Sequence, residues 1–269
     1  MKEKISVTVD SSVLRAVEGI VDGIRIKNRS DAIEYLLKRS VGDKRVAVIL
    51  CGGDEKKQLL SDGLFRFVAK IGESTVVEDT VLQLKSFGFS RIFVVGQNNV
   101  LVQIFSVLKN GESFGVSVDY VEESEPRGTA HSLSLVASKV DCDFLVVYGD
   151  LVFRYDLNRL FREHVVNGGV VTLALSSAAH PAEKGTVQLD GNRVLSFSQK
   201  VRAASSFIAF TPIFVASADV FSVDGDSLED EVFPELARKG RLYGLVLPGR
   251  EVHVHKKGDL VRAREMIRA

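Results

Sequence analysis

Cysteine is scarce in this chain, its charges cancel, and it has no long apolar run. Two cysteines in 269 residues, Cys51 and Cys142, cannot build a disulfide framework, so the fold must rest on a packed apolar core. Both lie in or beside apolar stretches and read as core residues of a protein kept in a reducing cytoplasm. The 35 basic and 35 acidic residues leave no formal net charge, which excludes a global field drawing the chain to nucleic acid or lipid; any anion site must be local. No run approaches the ~18 apolar residues of a membrane span, and the opening MKEKISVTVD lacks the apolar core of a signal peptide. The expectation is a cytoplasmic protein with no membrane partner, built as one large domain with a small appendage.

The appendage is readable first. Residues 4 to 9 alternate, with Ile5, Val7 and Val9 on one face and Lys4, Ser6 and Thr8 on the other, which predicts a strand. Asp10 or Ser11 then caps a helix with an apolar stripe of Val13, Leu14, Val17, Ile20, Val21 and Ile24. Ser30 caps a second helix carrying Ala32, Ile33, Leu36 and Leu37. A unit of about 42 residues buries too little apolar surface to fold alone, and a lone strand leaves its edge unpaired. Two copies pairing their strands would solve both problems, as a homodimer or higher even oligomer. Their polar faces would form a ribbon that enters the major groove of double-stranded DNA.

Over residues 3 to 41 the segment resembles the ribbon-helix-helix regulators. The resemblance implies that Lys4, Ser6 and Thr8 contact DNA, and that Asn28, Arg29 and Ser30 hold a DNA phosphate at the start of the second helix. Nine basic residues against seven acidic ones in positions 1 to 44 leave only two positive charges, so affinity for one site would be modest and salt-sensitive. The competing reading is an amphipathic dimerisation unit.

Val41-Gly42-Asp43-Lys44 interrupts the helical pattern, which divides the chain into domains of residues 1–42 and 45–269. Beyond the break apolar strands alternate with helices: Val46 to Leu50, a helix from Val76 to Phe87, Arg91 to Val95, a helix near Val100 to Leu108, Val116 to Val121, a helix from Thr129 to Val140, then Phe144 to Val147. After Asp150 the text becomes strand-rich, and a last helix starts near Gly258. The pattern predicts an α/β domain of Rossmann-like type with a mixed, mainly parallel sheet.

In such sheets ligands settle outside the carboxyl ends of the strands. Three places qualify: Cys51-Gly52-Gly53, where paired glycines let backbone approach an anion; the loop from Glu122 through Arg127-Gly128-Thr129-Ala130 into a helix; and Tyr148-Gly149-Asp150, a carboxylate where a hard cation is held against phosphates. Taken singly each is a weak signal, readable as a turn, a charged loop or a cap. In this order they resemble the sugar-phosphate nucleotidyltransferases, especially the mannose-1-phosphate guanylyltransferase branch, from Val46 to the C-terminus.

The resemblance implies a nucleotide or nucleotide sugar as ligand, Gly52, Gly53, Lys57, Glu122, Gly128 and Thr129 as nucleotide contacts, Lys200 as the remaining catalytic lysine, and Mg2+ on Asp150. The family's second metal carboxylate aligns with His253, which with His255 shares one strand face and offers two imidazoles to a softer metal instead. Where the family writes Gly-Gly-x-Gly-Thr-Arg-Leu, this chain has Gly52-Gly53-Asp54-Glu55-Lys56-Lys57-Gln58. Lys57 alone is left to replace the arginine, and two acids stand where triphosphate must lie. The family's transition-state lysine falls on Phe65, beside Arg66, and its sugar-contacting Asn-Ala-Gly on Phe210-Thr211-Pro212.

Phosphoryl transfer depends on placed positive charge, so these departures predict a transcription regulator that binds a nucleotide without turning it over. The alternative is a working nucleotidyltransferase in which Lys57, Arg66 and Lys200 supply the charge and the first segment serves for dimerisation.

Overall fold

The computed structural model describes residues 6–23, 26–41, 45–200 and 206–268. Contacts divide the chain into two units, residues 1–43 and 44–269.

In the first unit, α1 (Ser11–Gly19) is capped by Asp10, whose carboxylate accepts the Ser12 N–H at 2.7 Å. The following residues turn, with the Ile26 N–H donating to Asp22 Oδ1 at 2.9 Å, so the helix ends about a turn before the Ile24 expected of it. In α2 (Arg29–Val41) the cap is Asn28 rather than Ser30: Asn28 Oδ1 accepts the Asp31 N–H at 2.9 Å, and Asp31 Oδ2 accepts from Asn28 Nδ2 at 3.0 Å. Residues 6–10 carry no strand within the single chain and are exposed, and the ribbon expected between two copies is not shown; Lys4 lies outside the described residues. A strand needs a hydrogen-bonded neighbour, and no described residue offers one. The ribbon-helix-helix reading of this unit is therefore not shown.

The second unit is built on a nine-stranded sheet. Its strands and helices follow in chain order: β1 (Arg45–Cys51), α3 (Glu55–Gln58), α4 (Val76–Ser86), β2 (Phe89–Gly96), α5 (Asn98–Leu108), β3 (Ser117–Glu122), α6 (Thr129–Ser134), β4 (Phe144–Tyr148), β5 (Leu151–Arg154), α7 (Leu157–Asn167), β6 (Val171–Ser177), β7 (Gly185–Asp190), β8 (Arg193–Gln199), β9 (Ile208–Ala216), α8 (Phe233–Arg238), β10 (Leu242–Val246), β11 (Arg250–His253) and α9 (Lys257–Arg268). The strand order is β3-β2-β1-β4-β9-β6-β10-β8-β7, with β11 and β5 forming a separate two-stranded ribbon. Four neighbouring pairs are parallel (β1–β2, β1–β4, β2–β3, β6–β10) and four antiparallel (β4–β9, β6–β9, β8–β10, β7–β8). The sheet is thus mixed in equal parts rather than mainly parallel. The strand-rich second half supplies the difference: β7–β8 is a hairpin with a short turn, and β9 runs antiparallel between β4 and β6.

β1 shows how the sheet is covered. Its side chains alternate, so Ala47, Ile49 and Cys51 join one core and Val46, Val48 and Leu50 the other. The first core includes Val77, Val81 and Leu84 of α4, Val100 and Ile104 of α5, and Leu157 and Leu160 of α7. The second includes Leu133 of α6 and Phe233 and Leu236 of α8. Such double cover explains why β1 and β4 read as unbroken apolar runs. Helix α7 repeats the same logic: Leu157, Leu160, Phe161 and His164 are buried at helical spacing, Asp156 accepts the Arg159 N–H, and Gly168 ends the helix at φ +62°. Among the described residues no helix is long and apolar enough to cross a membrane.

Candidate active site

The carboxyl ends of β1 and β4 lie side by side, with Leu50 paired to Tyr148, so the loops after both strands open on the same edge. A cavity of about 140 Å³ there is lined by Gly52, Gly53, Arg66, Gly128, Thr129, Ser132, Tyr148 and Asp150. A second cavity, of about 660 Å³, shares Tyr148 and Asp150 and continues past Lys184, Lys200, Phe210, Glu229, His253 and His255. Asp150 and Tyr148 therefore stand between a small chamber beside the glycine loop and a larger one beside the strand-rich half.

Glu123 organises the small chamber. It is 1% exposed; its Oε2 accepts the Gly53 N–H at 3.0 Å, and its Oε1 accepts from the Ser132 hydroxyl. Gly53 adopts φ +99°, which a side chain would strain, and a Cβ on Gly52 would stand 2.3 Å from Glu123 Oε2. The buried Gln58 amide donates to the Gly52 carbonyl. Both glycines are thus required by packing around a buried carboxylate, a cause independent of any ligand.

The sequence raised Asp54 and Glu55 as negative charge against a triphosphate. Neither lines either cavity. Asp54 is spent capping α3, accepting the Lys56 N–H at 3.0 Å, and Glu55 accepts from Asn99 Nδ2 at 3.1 Å. Lys57 and Glu122 are exposed and lie outside the linings as well. The residue after Glu122, Glu123, is the one that braces the chamber wall through Gly53 and Ser132, and no periodicity in that loop distinguishes the two acids.

At the other wall the helix start is already satisfied from within. The Ala130 and His131 N–H groups donate to the Asp226 carbonyl at 2.9 and 3.1 Å. A Cβ on Gly128 would meet that same carbonyl at 2.3 Å. The α6 N-terminus thus holds the 226–228 backbone instead of an anion. Thr129 Oγ1 donates to Glu229 Oε2 at 2.7 Å, and the Tyr148 hydroxyl donates to Glu229 Oε1. Burial, with Glu229 beside it, holds the Tyr148 phenol protonated far above its usual range.

Between the chambers Asp150 Oδ2 faces Arg66 Nη1 at 3.4 Å and His255 Nδ1 at 3.6 Å. Arg66 is 16% exposed along its side chain and its Nη1 lies 2.9 Å from His255 Nδ1. Burial lowers the His255 pKa, helped by the Arg66 and His253 charges and opposed by Asp150; a neutral ring with Nδ1 free accepts from Arg66. The position counted from the sequence was Phe65, which is buried; its neighbour Arg66 delivers the cation.

His255 reaches Asp150 because β11 pairs antiparallel with β5, Leu151 opposite His253, and the Val254 N–H donates to the Asp150 carbonyl at 2.9 Å. His253 itself turns elsewhere: its Nε2 is buried, without a hydrogen-bond partner, 3.6 Å from Glu251 Oε1. Glu251 also binds Lys184 at 2.5 Å and accepts from the Tyr155 hydroxyl at 3.1 Å. Burial would raise the Glu251 pKa, but His253 and Lys184 prevail and hold it down to about 2. Lys200, on the rim of the larger cavity, has φ +48°, an uncommon conformation for a residue with a side chain.

A stability prediction follows from Glu251. Its pKa is depressed, so the stabilisation is complete above the ordinary value of 4.5 and disappears as pH falls towards 2. The Lys184→Met protein should lose part of this, with melting curves converging on those of the wild type at the acid end. The gap at neutral pH should be no more than on the order of 3 kcal/mol. Equal separation at every pH would show that Glu251 titrates normally.

The fold is a mixed α/β domain whose candidate site lies at the carboxyl ends of β1 and β4. A family model for nucleotidyl transferases matches residues 46–233, and the chain belongs to that family. It is 25% identical over 226 residues to a probable mannose-1-phosphate guanylyltransferase of Oryza sativa subsp. japonica, covering 80% of this chain and 62% of that one. It is 24% identical over 227 residues to a mannose-1-phosphate guanyltransferase of Pichia angusta, with the same shares. The chain thus spans about 62% of the length of these curated relatives. Among solved structures, a putative glucose-1-phosphate thymidylyltransferase from Bacillus anthracis in complex with a sucrose superposes with TM-score 0.76 at 20% identity, covering 83% of this chain and 95% of that one. A UDP-glucose pyrophosphorylase complexed with UDP-glucose gives TM-score 0.70 at 12% identity, covering 84% and 98%. At these identities the likeness shows the fold.

These relationships contradict the DNA-binding regulator expected from the first forty residues, and they give no support to the expectation that the chain turns no nucleotide over. At α2, Arg29 pairs with Glu18 and the N–H of Asp31 is taken by Asn28, and Ser6, Thr8 and Ser30 are exposed.

Proposed function

We propose that this chain is a sugar-1-phosphate nucleotidyltransferase, joining a nucleoside triphosphate to a sugar 1-phosphate with release of pyrophosphate. The observation that carries this reading is the pair of cavities meeting at Asp150, with Arg66 at the junction and Lys184 and Lys200 on the larger side. We assign the base end of the nucleotide to the chamber walled by Gly52, Gly53, Gly128 and Thr129, with its phosphates towards Asp150, and the sugar phosphate to the larger cavity. Transfer requires the two substrates to meet where their phosphates face each other. An oxygen of the sugar phosphate attacks the α-phosphorus while the bond to the leaving pyrophosphate breaks. The protein's part is to position both substrates and to place positive charge on the oxygens where charge accumulates. The outward-turned Asp54 and Glu55 remove the strongest objection to triphosphate binding.

The names of the relatives suggest the first pairs to try: GTP with mannose 1-phosphate, dTTP with glucose 1-phosphate and UTP with glucose 1-phosphate. Pyrophosphate release above background with at least one pair, lost in Asp150→Ala, is the expected outcome. No release with any pair would sink the reading.

A further inference from the structure

The family resemblance assigns the charge on the phosphates to a divalent ion held by two carboxylates, and the residues around Asp150 do not fit such an ion. The position aligned with the second carboxylate is His253, whose Nε2 turns to Glu251. Glu251 in turn is engaged by Lys184 and Tyr155. Among the described residues no group of three or more His, Cys, Asp or Glu side chains is arranged to hold a metal. Mg2+ is usually held by one or two carboxylates together with substrate phosphates, whereas Asp150 Oδ2 faces a guanidinium nitrogen at 3.4 Å and an imidazole nitrogen at 3.6 Å in place of a second carboxylate.

Arg66 is built in rather than passing through. Its Nη1 is fixed by His255 at 2.9 Å, and its guanidinium lies over the Phe67 ring at 5.6 Å. Its Nε is buried without a hydrogen-bond partner, and Arg66 lines the small chamber, where its guanidinium can donate to a phosphate oxygen. A planar guanidinium matches two phosphate oxygens at once and keeps its charge at any working pH.

Building on the nucleotidyltransferase reading, we propose that Arg66, held by Asp150 and His255, takes the place of the protein-bound divalent ion. Nucleotide-sugar binding and transfer then proceed without such an ion. The step stays balanced: the sugar-phosphate oxygen bonds to the α-phosphorus, the electron pair leaves with pyrophosphate, and Arg66 only donates hydrogen bonds.

The test uses the full chain stripped of metal, titrated calorimetrically with GDP-mannose, UDP-glucose and pyrophosphate, in EDTA and in excess Mg2+. Mn2+ binding is followed in parallel by electron paramagnetic resonance. Affinity in EDTA should match that in Mg2+ to within about threefold, and Mn2+ should stay free. Arg66→Ala should weaken binding in EDTA by between about tenfold and a hundredfold, the size of a lost charged hydrogen bond. Arg66→Lys, the safer variant for folding, should retain part of it. Binding that vanishes in EDTA and returns with Mg2+, or stoichiometric Mn2+ uptake lost in Asp150→Ala, overturns this inference and leaves the nucleotidyltransferase reading intact. Failure of every probe in both conditions defeats both.

Discussion

Replacing Arg66 by alanine should lower kcat/KM by about a hundredfold to a thousandfold, the typical loss of one preorganised donor at a developing charge. The size of the effect rests on where the guanidinium stands. It is largely buried, tied to His255 and ion-paired with Asp150, so its field acts in a site that excludes most water. Loss of Arg66 also leaves Asp150 beside incoming phosphates with only the neutral His255 ring next to it, which offsets none of its charge. The effect should therefore be greater in kcat than in KM, since charge builds on the oxygens as the bonds change. Steady-state kinetics on the wild type, Arg66→Lys and Arg66→Ala measure it. A change in KM alone would make Arg66 a binding residue without a role in transfer.

Gly52→Ala should abolish measurable nucleotide binding while leaving most of the fold in place. The new Cβ would sit 2.3 Å from Glu123 Oε2 and 2.8 Å from Ser132 Oγ. Glu123 cannot yield cheaply, because moving it strands the Gly53 N–H and the Ser132 hydroxyl inside the protein. The glycine loop must shift instead, and with it the wall of the small chamber. Overpacking of this kind costs about 1–3 kcal/mol in stability, which thermal unfolding should register as a modest fall. Binding, followed by calorimetry, should drop by about a hundredfold or more. Unchanged affinity would mean that this loop does not contact the nucleotide.

How much of this was readable beforehand depended on how local each signal was. The run from Val46 to Leu50 and the glycines after it announce a buried strand and the turn that follows, because burial on both faces leaves an unbroken apolar pattern. Asp150 was visible for the same reason, standing two residues past the end of β4. The partners that give Asp150 its meaning were not. Arg66 sits in a short turn with no periodicity, and His255 arrives only through the pairing of β5 with β11, a contact between residues about a hundred positions apart. Glu122 and Glu123 differ by one place, and the decision between them lies in the three-dimensional path after β3.

Asp54 and Glu55 mark a different limit. Counted by type they are two negative charges in a phosphate loop, but one caps a helix and the other holds Asn99. Charge in a sequence has no direction until the backbone supplies one. Helix α7 was readable from its 157, 160, 161, 164 spacing and its flanking Asp156 and Gly168, but it was masked by the strand-rich text around it. The N-terminal segment failed in the opposite sense. Its alternation from Lys4 to Val9 is real as a pattern, yet a strand exists only when paired, and residues 6–10 have no pairing partner among the described residues.

The most direct measurement is phosphorus NMR of the full chain incubated with a nucleoside triphosphate and a sugar 1-phosphate, run for each pair named above. The account predicts that one pair yields the two coupled resonances of a nucleotide sugar together with free pyrophosphate, and that Asp150→Ala yields neither. Spectra in which every triphosphate persists unchanged, or decays only to the diphosphate and inorganic phosphate, would contradict it.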